Sequence, residues 1–342
     1  MQIHLVLPGL LWPGAAARNF ARDLPLPALS ALLGHARVSL GLPQAPDAWL
    51  AKQFGLGPDA PLAALRRLGE ATLPEPEPGT AWLCADPVRL QFAQQHLILA
   101  DVTDLNLQAE EADALVAALN DTFPDVGRFE MATPDRWYLK LASPPQATFA
   151  PLSQVASRPV TPFLPTGPQA ARWVRTMNEA QIVLHNHPLN QARDEAGLAI
   201  ANSLWLWGAG TAGEGNLPRL APPAPRILAE APLPRGLARA AGVAPAAPVL
   251  PLGGPDTLVI LEDLLRPALY LDLERWRQAL LALEATWFAP LLAALQARRV
   301  SSLVISAPGD QATLEIRTAR PRFWQFWRKP RNLEDLPLPP AP

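Results

Sequence analysis

Residues His185–Gly210, reading HNHPLNQARDEAGLAIANSLWLWGAG, hold the densest set of side chains able to do chemistry. Pro188 cannot extend a preceding helix, so one helix ends near His187. A short helix follows through Asn190 and Arg193, which are three apart and share a face. Gly197 closes it, and Asn202 opens a strand over Ser203–Trp207 that Gly208 and Gly210 are expected to stop. On that layout Asn190, Arg193 and Asn202 converge. Two amides and a planar guanidinium suit a carboxylate or phosphate, so a small phosphorylated or carboxylate metabolite is the expected ligand. His185 and His187 would add donors there; a metal would need a third ligand from Asp194 or Glu195. The same polar groups would equally serve to tie these loops to their own backbone, and both readings stand at this point. Trp205 and Trp207 share one face of the strand, either as packing or as a stacking platform.

Elsewhere the chain offers less. Glu262-Asp263 follows an apolar strand, where α/β folds place ligands. Asp272 and Glu274 open a long helical pattern. Capping or a solvated face accounts for both sites. Gly208–Gly215 is glycine-rich but leads to Asn216-Leu217-Pro218 and no helix, so it reads as a loop lacking the basis for phosphate binding. No Walker loop, GxGxxG after a strand, GxSxG elbow or HExxH occurs. Arg320–Lys329, RPRFWQFWRK, interleaves Phe323, Trp324, Phe326 and Trp327 with cations. It reads as packing with cationic flanks or as a seat for a protein partner.

The elements that must position these groups follow from patterning. Ile3–Leu7 is a short apolar strand ending at Pro-Gly. Leu26–Gly34, Pro46–Phe54 and Pro61–Leu68 are short helices opened by proline or stopped by glycine. Thr72–Thr80, TLPEPEPGT, is a linker. A strand at His96–Val102, a helix at Ala109–Leu119 and strands at Arg128–Met131 and Trp137–Leu141 form a small α+β module. Glu110, Glu111 and Asp113 suit that helix's N-terminal dipole. Gln169–Leu184 is a second amphipathic helix. Arg226–Glu230, Thr257–Leu261, Val300–Ile305 and Ala312–Arg317 read as strands, and Arg235–Ala241 as a short helix. Leu273–Arg298 is the longest helical pattern, with Pro290 expected to kink or split it. The expected organisation is a discontinuous α/β core (1–80 and 219–328), an inserted α+β domain (81–218) and a disordered proline-rich tail (329–342).

Composition narrows the function classes. The 342 residues suggest about two domains at ~150 residues each. A net charge of −2 supplies no cationic excess for nucleic acid. The single cysteine, Cys84, excludes a disulfide framework and a cysteine zinc cluster. The 41 prolines imply many short elements that stop abruptly. There is no cationic leader ahead of an unbroken apolar run and no stretch of 18 apolar residues. A cytoplasmic protein without a transmembrane segment is the expectation.

HPLNQAR, Gly197, Ala201-Asn202 and LWLWGAG together resemble the signature of archaeal-type cofactor-independent phosphoglycerate mutases. LQAEEADALVAAL, DRWYLKL and RGLARAAGV add to the likeness, which extends over residues 1 to about 320 and is strongest over 170–210. The chain resembles still more the bacterial RpfE-type regulatory proteins, relatives of those mutases. The resemblance implies an alkaline phosphatase-like α/β core sheet flanked by helices, with an inserted α+β domain. It also implies two divalent metals and a serine nucleophile, and here the residues depart from it. The family's first strand ends in a metal-binding Asp-Gly, where this chain has Pro8-Gly9. The family's nucleophile falls at Pro46, leaving Asp47 of its serine-aspartate pair. A histidine- and aspartate-bearing segment near the family's C-terminus corresponds to Val304–Gly309, with Thr313 in place of the last histidine. The expectation is therefore a mutase-like protein without catalytic residues, metal or cofactor, acting in regulation or metabolite binding. An active mutase or phosphatase with unconventional ligands, and a pure protein-interaction module, are the alternatives.

Overall fold

The computed structural model describes residues 1–13, 20–93, 95–100, 105–211, 220–250, 253–319 and 329–336. The chain forms two compact units. Unit 1 comprises Met1–Phe54, Ala221–Pro234 and Ala241–Pro342; unit 2 comprises Gly55–Leu220 and Arg235–Ala240. The first crossing thus precedes the Pro/Glu stretch at 72–80, because the helix before that stretch packs on strands that follow it.

In chain order, unit 1 begins with β1 (Gln2–Val6), α1 (Pro27–His35), β2 (Arg37–Gly41) and α2 (Pro46–Gln53). Unit 2 runs through α3 (Leu62–Gly69), β3 (Ala81–Ala93), β4 (His96–Ala100), α4 (Ala109–Thr122), β5 (Arg128–Thr133), β6 (Arg136–Leu141), α5 (Leu152–Val155), α6 (Ala170–His185), α7 (Pro188–Glu195) and β7 (Ser203–Thr211). The chain then continues with β8 (Arg226–Ala229), α8 (Pro232–Ala240), β9 (Thr257–Ile260), α9 (Leu265–Leu269), α10 (Leu273–Leu283), α11 (Ala289–Gln296), β10 (Ser302–Ala307) and β11 (Thr313–Ala319).

Unit 1 is a six-stranded sheet ordered β2-β11-β10-β1-β9-β8. β10, β1, β9 and β8 are parallel, and β11 is antiparallel to both β10 and β2. Ile3, Leu5 and Leu7 from β1 and just beyond enter one core with α1, α10 and α11. Their alternation is the period of a strand with one face on that layer. The register aligns the carboxyl ends of the three central strands, with Val6 opposite both Ile260 and Ser306.

The helical run Leu273–Gln296 is continuous, long and apolar enough to cross a membrane by length and composition, although no span was expected from the sequence. It is a core helix: Trp276, Leu280, Leu283, Phe288 and Leu291 are buried in the unit 1 cluster. Pro290 does not split it. A π-turn over Glu284–Phe288 precedes the proline and lets the Ala289 N–H reach the Glu284 carbonyl. Such a one-residue widening re-routes the ladder where proline removes a donor. The π-turn also aims the buried Glu284 carboxylate at α1. It accepts from the Ala28 N–H at 2.6 Å and the Leu29 N–H at 3.1 Å. Helix α1 has no capping side chain of its own, so Glu284 supplies the acceptor that its first turn lacks.

Residues 329–336, expected as disordered tail, contain a 3₁₀ turn at Leu333–Asp335. The Arg331 N–H donates to the Ser30 carbonyl, and Leu336 is buried in the unit 1 core. An apolar anchor and backbone pairing override the proline-rich composition here. Residues 337–342 lie outside the described residues.

Unit 2 is α+β. Its antiparallel sheet runs β4-β3-β6-β5, with β7 paired to β3. Helix α3 packs on β3 and β7, α4 on β5, and α6 on β7, while α4 and α6 pack on each other. β7 does not stop at Gly208. It continues through Gly210 because both glycines lie under α3. A Cβ at Gly208 would come within 2.9 Å of the Ala63 nitrogen, and one at Gly210 within 2.4 Å of the Pro61 Cβ. Ala212–Gly215, the rest of the expected loop, is outside the described residues.

Candidate functional site

In an open parallel sheet, ligands sit outside the carboxyl ends of the strands. In unit 1 that place is formed by the residues after β1, β9 and β10. After β1 the chain makes a tight turn, Leu7-Pro8-Gly9-Leu10, closed by the Leu10 N–H on the Leu7 carbonyl at 3.2 Å. Pro8 supplies the fixed φ of the second turn position and Gly9, at φ +83°, the left-handed third. A Cβ at Gly9 would lie 2.3 Å from the Leu264 carbonyl oxygen, and the Gly9 carbonyl accepts from Trp276 Nε1 at 2.8 Å. The Pro-Gly pair therefore builds a packed turn and carries no ligand atom on a side chain.

Three carboxylates belong to this region. Asp47 is in the first turn of α2, which Pro46 opens; Glu262 and Asp263 follow β9. Burial pushes the Glu262 carboxyl up to about 7, with Asp47 and then Asp263 adding like-charge repulsion. Among the described residues, no group of three or more His, Cys, Asp or Glu side chains is placed to hold a metal ion. The imidazole of the central strand is committed elsewhere. His4 Nε2 and Ser306 Oγ share a hydrogen bond of 2.8 Å, with the ring edge-on to Trp49. Burial lowers His4 to about 4, outweighing the attraction of Glu315, while Arg317 lowers it further. Ser306 is 1% exposed, so this Ser-His pair offers no surface for attack. Asp272 caps α10 through the Arg275 N–H at 3.0 Å, as the sequence reading had it.

The residues of the 185–202 segment lie in unit 2. Asn190 is 1% exposed, and its Nδ2 donates to the carbonyls of Leu184 at 2.7 Å and Ala201 at 2.8 Å. Asn202 pairs with the backbone of Leu90 in both directions, at 2.8 Å and 2.9 Å. Arg193 donates from Nε to the Ala199 carbonyl at 3.0 Å and from one terminal nitrogen to both Glu111 carboxylate oxygens at 2.7–2.8 Å. Its other terminal nitrogen donates to the Leu105 carbonyl. The three side chains are not brought to a common ligand space. Each turns its donors onto the chain, which is the loop-tying reading. His187 caps α7, its Nδ1 accepting from the Leu189 N–H at 3.2 Å, and His185 is exposed at the end of α6. Trp205 Nε1 donates to the Ala150 carbonyl and Trp207 Nε1 to Asp86, both at buried positions. They are packing residues and form no platform.

The most elaborate polar assembly in unit 2 is one that the sequence reading did not find. Arg66 on α3 holds Asp86 of β3 bidentately at 2.6 Å and 2.8 Å and donates from Nε to the Tyr138 hydroxyl at 2.9 Å. Tyr138 donates in turn to Glu70 at 2.7 Å, and Arg136 donates to both Glu70 oxygens. Arg66, Asp86 and Glu70 are all buried. Burial acts against the Arg66 charge, yet Asp86 beside it holds the guanidinium well above its ordinary value. Burial likewise keeps the Tyr138 phenol protonated. A closed network of this kind locks α3 onto the sheet and leaves no arm free for a ligand. Two adjacent arginines in the apolar helix LAALRRLG were the available signal, since one of them must face inward.

No family model matches the chain. Two archaeal 2,3-bisphosphoglycerate-independent phosphoglycerate mutases match in part. The one from Methanothrix thermoacetophila is 30% identical over 115 residues, covering 34% of this chain and 29% of the relative. The one from Methanosarcina barkeri is 27% identical over 201 residues, covering 54% of this chain and 48% of the relative. Over these stretches the chain is similar to phosphoglycerate mutases. Its matches span less than half the length of these relatives. A solved structure from Pyrococcus horikoshii superimposes over 98% of this chain and 91% of its own, with a TM-score of 0.53 at 14% identity. That likeness is one of fold: an α/β core sheet flanked by helices, with an inserted α+β unit.

Proposed function

We propose that this protein is a phosphoglycerate mutase-like protein that has lost metal-dependent phosphoryl transfer and acts in regulation, as the resemblance to RpfE-type proteins implies. The observation that carries the reading is the turn after β1. Pro8-Gly9 stands where the resemblance requires a metal-binding aspartate, and the surrounding structure requires a proline-glycine turn. Pro46 stands where the nucleophilic serine belongs, and there it opens α2. Two-metal phosphoryl transfer needs ligands on both cations and an attacking oxygen, and both substitutions remove atoms with those roles. The implied pair of divalent metals does not fit the residues present. An anionic metabolite remains part of the proposal, but Arg193, Asn190 and Asn202 direct their donors onto the chain itself.

A second reading, retained catalysis with altered ligands, draws on Asp47 acting electrostatically on Glu262 beside the sheet's carboxyl ends. A turnover assay separates the two. Purified full-length protein is incubated with 3-phosphoglycerate and Mn²⁺ or Mg²⁺, and formation of 2-phosphoglycerate is followed. The first reading expects no turnover above a metal-only blank. Turnover that a chelator abolishes and Asp47→Asn removes would establish the second.

A further inference from the structure

Outside the regions already described, the groove between α4 and α6 in unit 2 encloses about 540 Å³. That volume falls within the range of small-molecule sites, roughly 300–1,000 Å³. Its lining combines cations, carboxylates and apolar surface. Arg172 and Arg175, three apart on α6, supply two guanidiniums. Glu179, one turn further along α6, and Asp125, just after α4, supply two carboxylates. Val126 and Ile182 supply the apolar wall, and Ile182 is 60% exposed despite its size.

All four charged side chains are exposed to solvent. Arg175 and Glu179 stand at the i,i+4 spacing at which helix neighbours ordinarily pair, yet neither they nor Asp125 enter an ion pair among the described residues. Arg172 has no carboxylate partner there either; its guanidinium lies 5.7 Å from the centre of the Trp173 ring. Elsewhere in unit 2, arginines that meet acids close into pairs: Arg66 with Asp86, Arg67 with Glu130, Arg136 with Glu70 and Arg193 with Glu111. A groove of balanced, unpaired charge discriminates against a polyanion, which its carboxylates would repel, and against a simple cation, which its arginines would repel. It complements a molecule carrying one charge of each sign and an apolar body.

We propose that this groove binds a small zwitterion with an apolar side chain, namely an apolar α-amino acid or dipeptide. Arg172 and Arg175 receive the carboxylate, Asp125 and Glu179 the ammonium, and Val126 and Ile182 the side chain. The inference is independent of the function proposed above, since it involves no residue of unit 1.

Isothermal titration of the full-length protein with leucine and leucyl-leucine tests it. N-acetylleucine lacks the ammonium, leucinamide lacks the carboxylate and glycine lacks the side chain. At least one of the two zwitterions should bind, and each control should bind about tenfold more weakly or worse. Arg175→Ala and Asp125→Asn should each weaken binding by about the same factor. Thermal denaturation without ligand should be unchanged in both variants, because neither side chain has an ion-pair partner among the described residues to lose. Four results would overturn the proposal: no heat from either zwitterion up to about 10 mM, equal binding of N-acetylleucine, equal binding of glycine, or affinity unaltered by Arg175→Ala.

Discussion

Arg193 shows how a residue suited to a ligand can serve the fold. Its fork meets Glu111 and two backbone carbonyls, so removing it leaves the Glu111 carboxylate with only the Gln108 N–H and takes a donor from each carbonyl. Arg193→Ala should therefore lower stability by about 2–4 kcal/mol, measured by urea unfolding. Arg193→Lys should recover little, since an ammonium cannot reproduce the planar fork. Wild-type stability in Arg193→Ala would show that the fork is not structural. Glu262 makes a second residue-scale prediction. Its carboxyl titrates near 7 in the fold against an ordinary 4.5, so the fold favours the neutral form. The unfolded chain ionises first as pH rises. Stability should thus fall between about pH 4.5 and 7 and level off above. Glu262→Gln should remove that fall, gaining up to ~3 kcal/mol at pH 8 and almost nothing at pH 4. Chemical denaturation at the two pH values measures the difference; equal gains at both would refute a titrating Glu262. His4 acts oppositely, since a neutral buried imidazole loses stability as pH falls from 6.5 towards 4.

At the scale of elements, legibility followed the strength of local signals. Helices α1, α2, α4 and α6 were readable because prolines, glycines and acidic first turns mark their ends and apolar residues their inner faces. β2 was not, because Arg37–Gly41 is a five-residue edge strand, too short for the alternation of RVSLG to stand out. β3 was hidden by Asp86-Pro87 in the middle of its apolar run. The structure accommodates Pro87 where β6 pairing has ended and β4 pairing has not begun, so its missing N–H breaks no bond on that flank. Asp86 is neutralised by Arg66, a partner 20 residues away that no local pattern announces. The same limit hid Glu111 as Arg193's partner, because a first-turn glutamate already has a local explanation. Glu284 is the long-range case in unit 1. It sits 255 or more residues from the helix it caps. Glu284→Ala should destabilise the protein by about 2–3 kcal/mol, with Glu284→Gln intermediate because one acceptor oxygen survives. Thermal unfolding monitored by far-ultraviolet circular dichroism would check the order; equal losses in both variants would assign the effect to the charge alone.

For the whole molecule, the sheet order, the inserted unit and the partial matches to archaeal mutases agree on the scaffold. The proposed loss of phosphoryl transfer rests on a handful of positions in unit 1. In unit 1 a proline-glycine turn follows β1, a proline opens α2, and His4 pairs with the buried Ser306. Phe323, Trp324, Phe326 and Trp327, the proposed protein-partner residues, lie outside the described residues. Beyond them, Leu336 belongs to the core, so a truncation that removes the aromatic segment together with residues 329–336 removes core as well. The most direct measurement is metal stoichiometry: equilibrium dialysis of the full-length protein against micromolar Mn²⁺, with bound metal counted by mass spectrometry. A protein that has lost the dinuclear centre retains no stoichiometric Mn²⁺. Two tightly held ions per chain, released on Asp47→Asn or Glu262→Gln, would contradict the account.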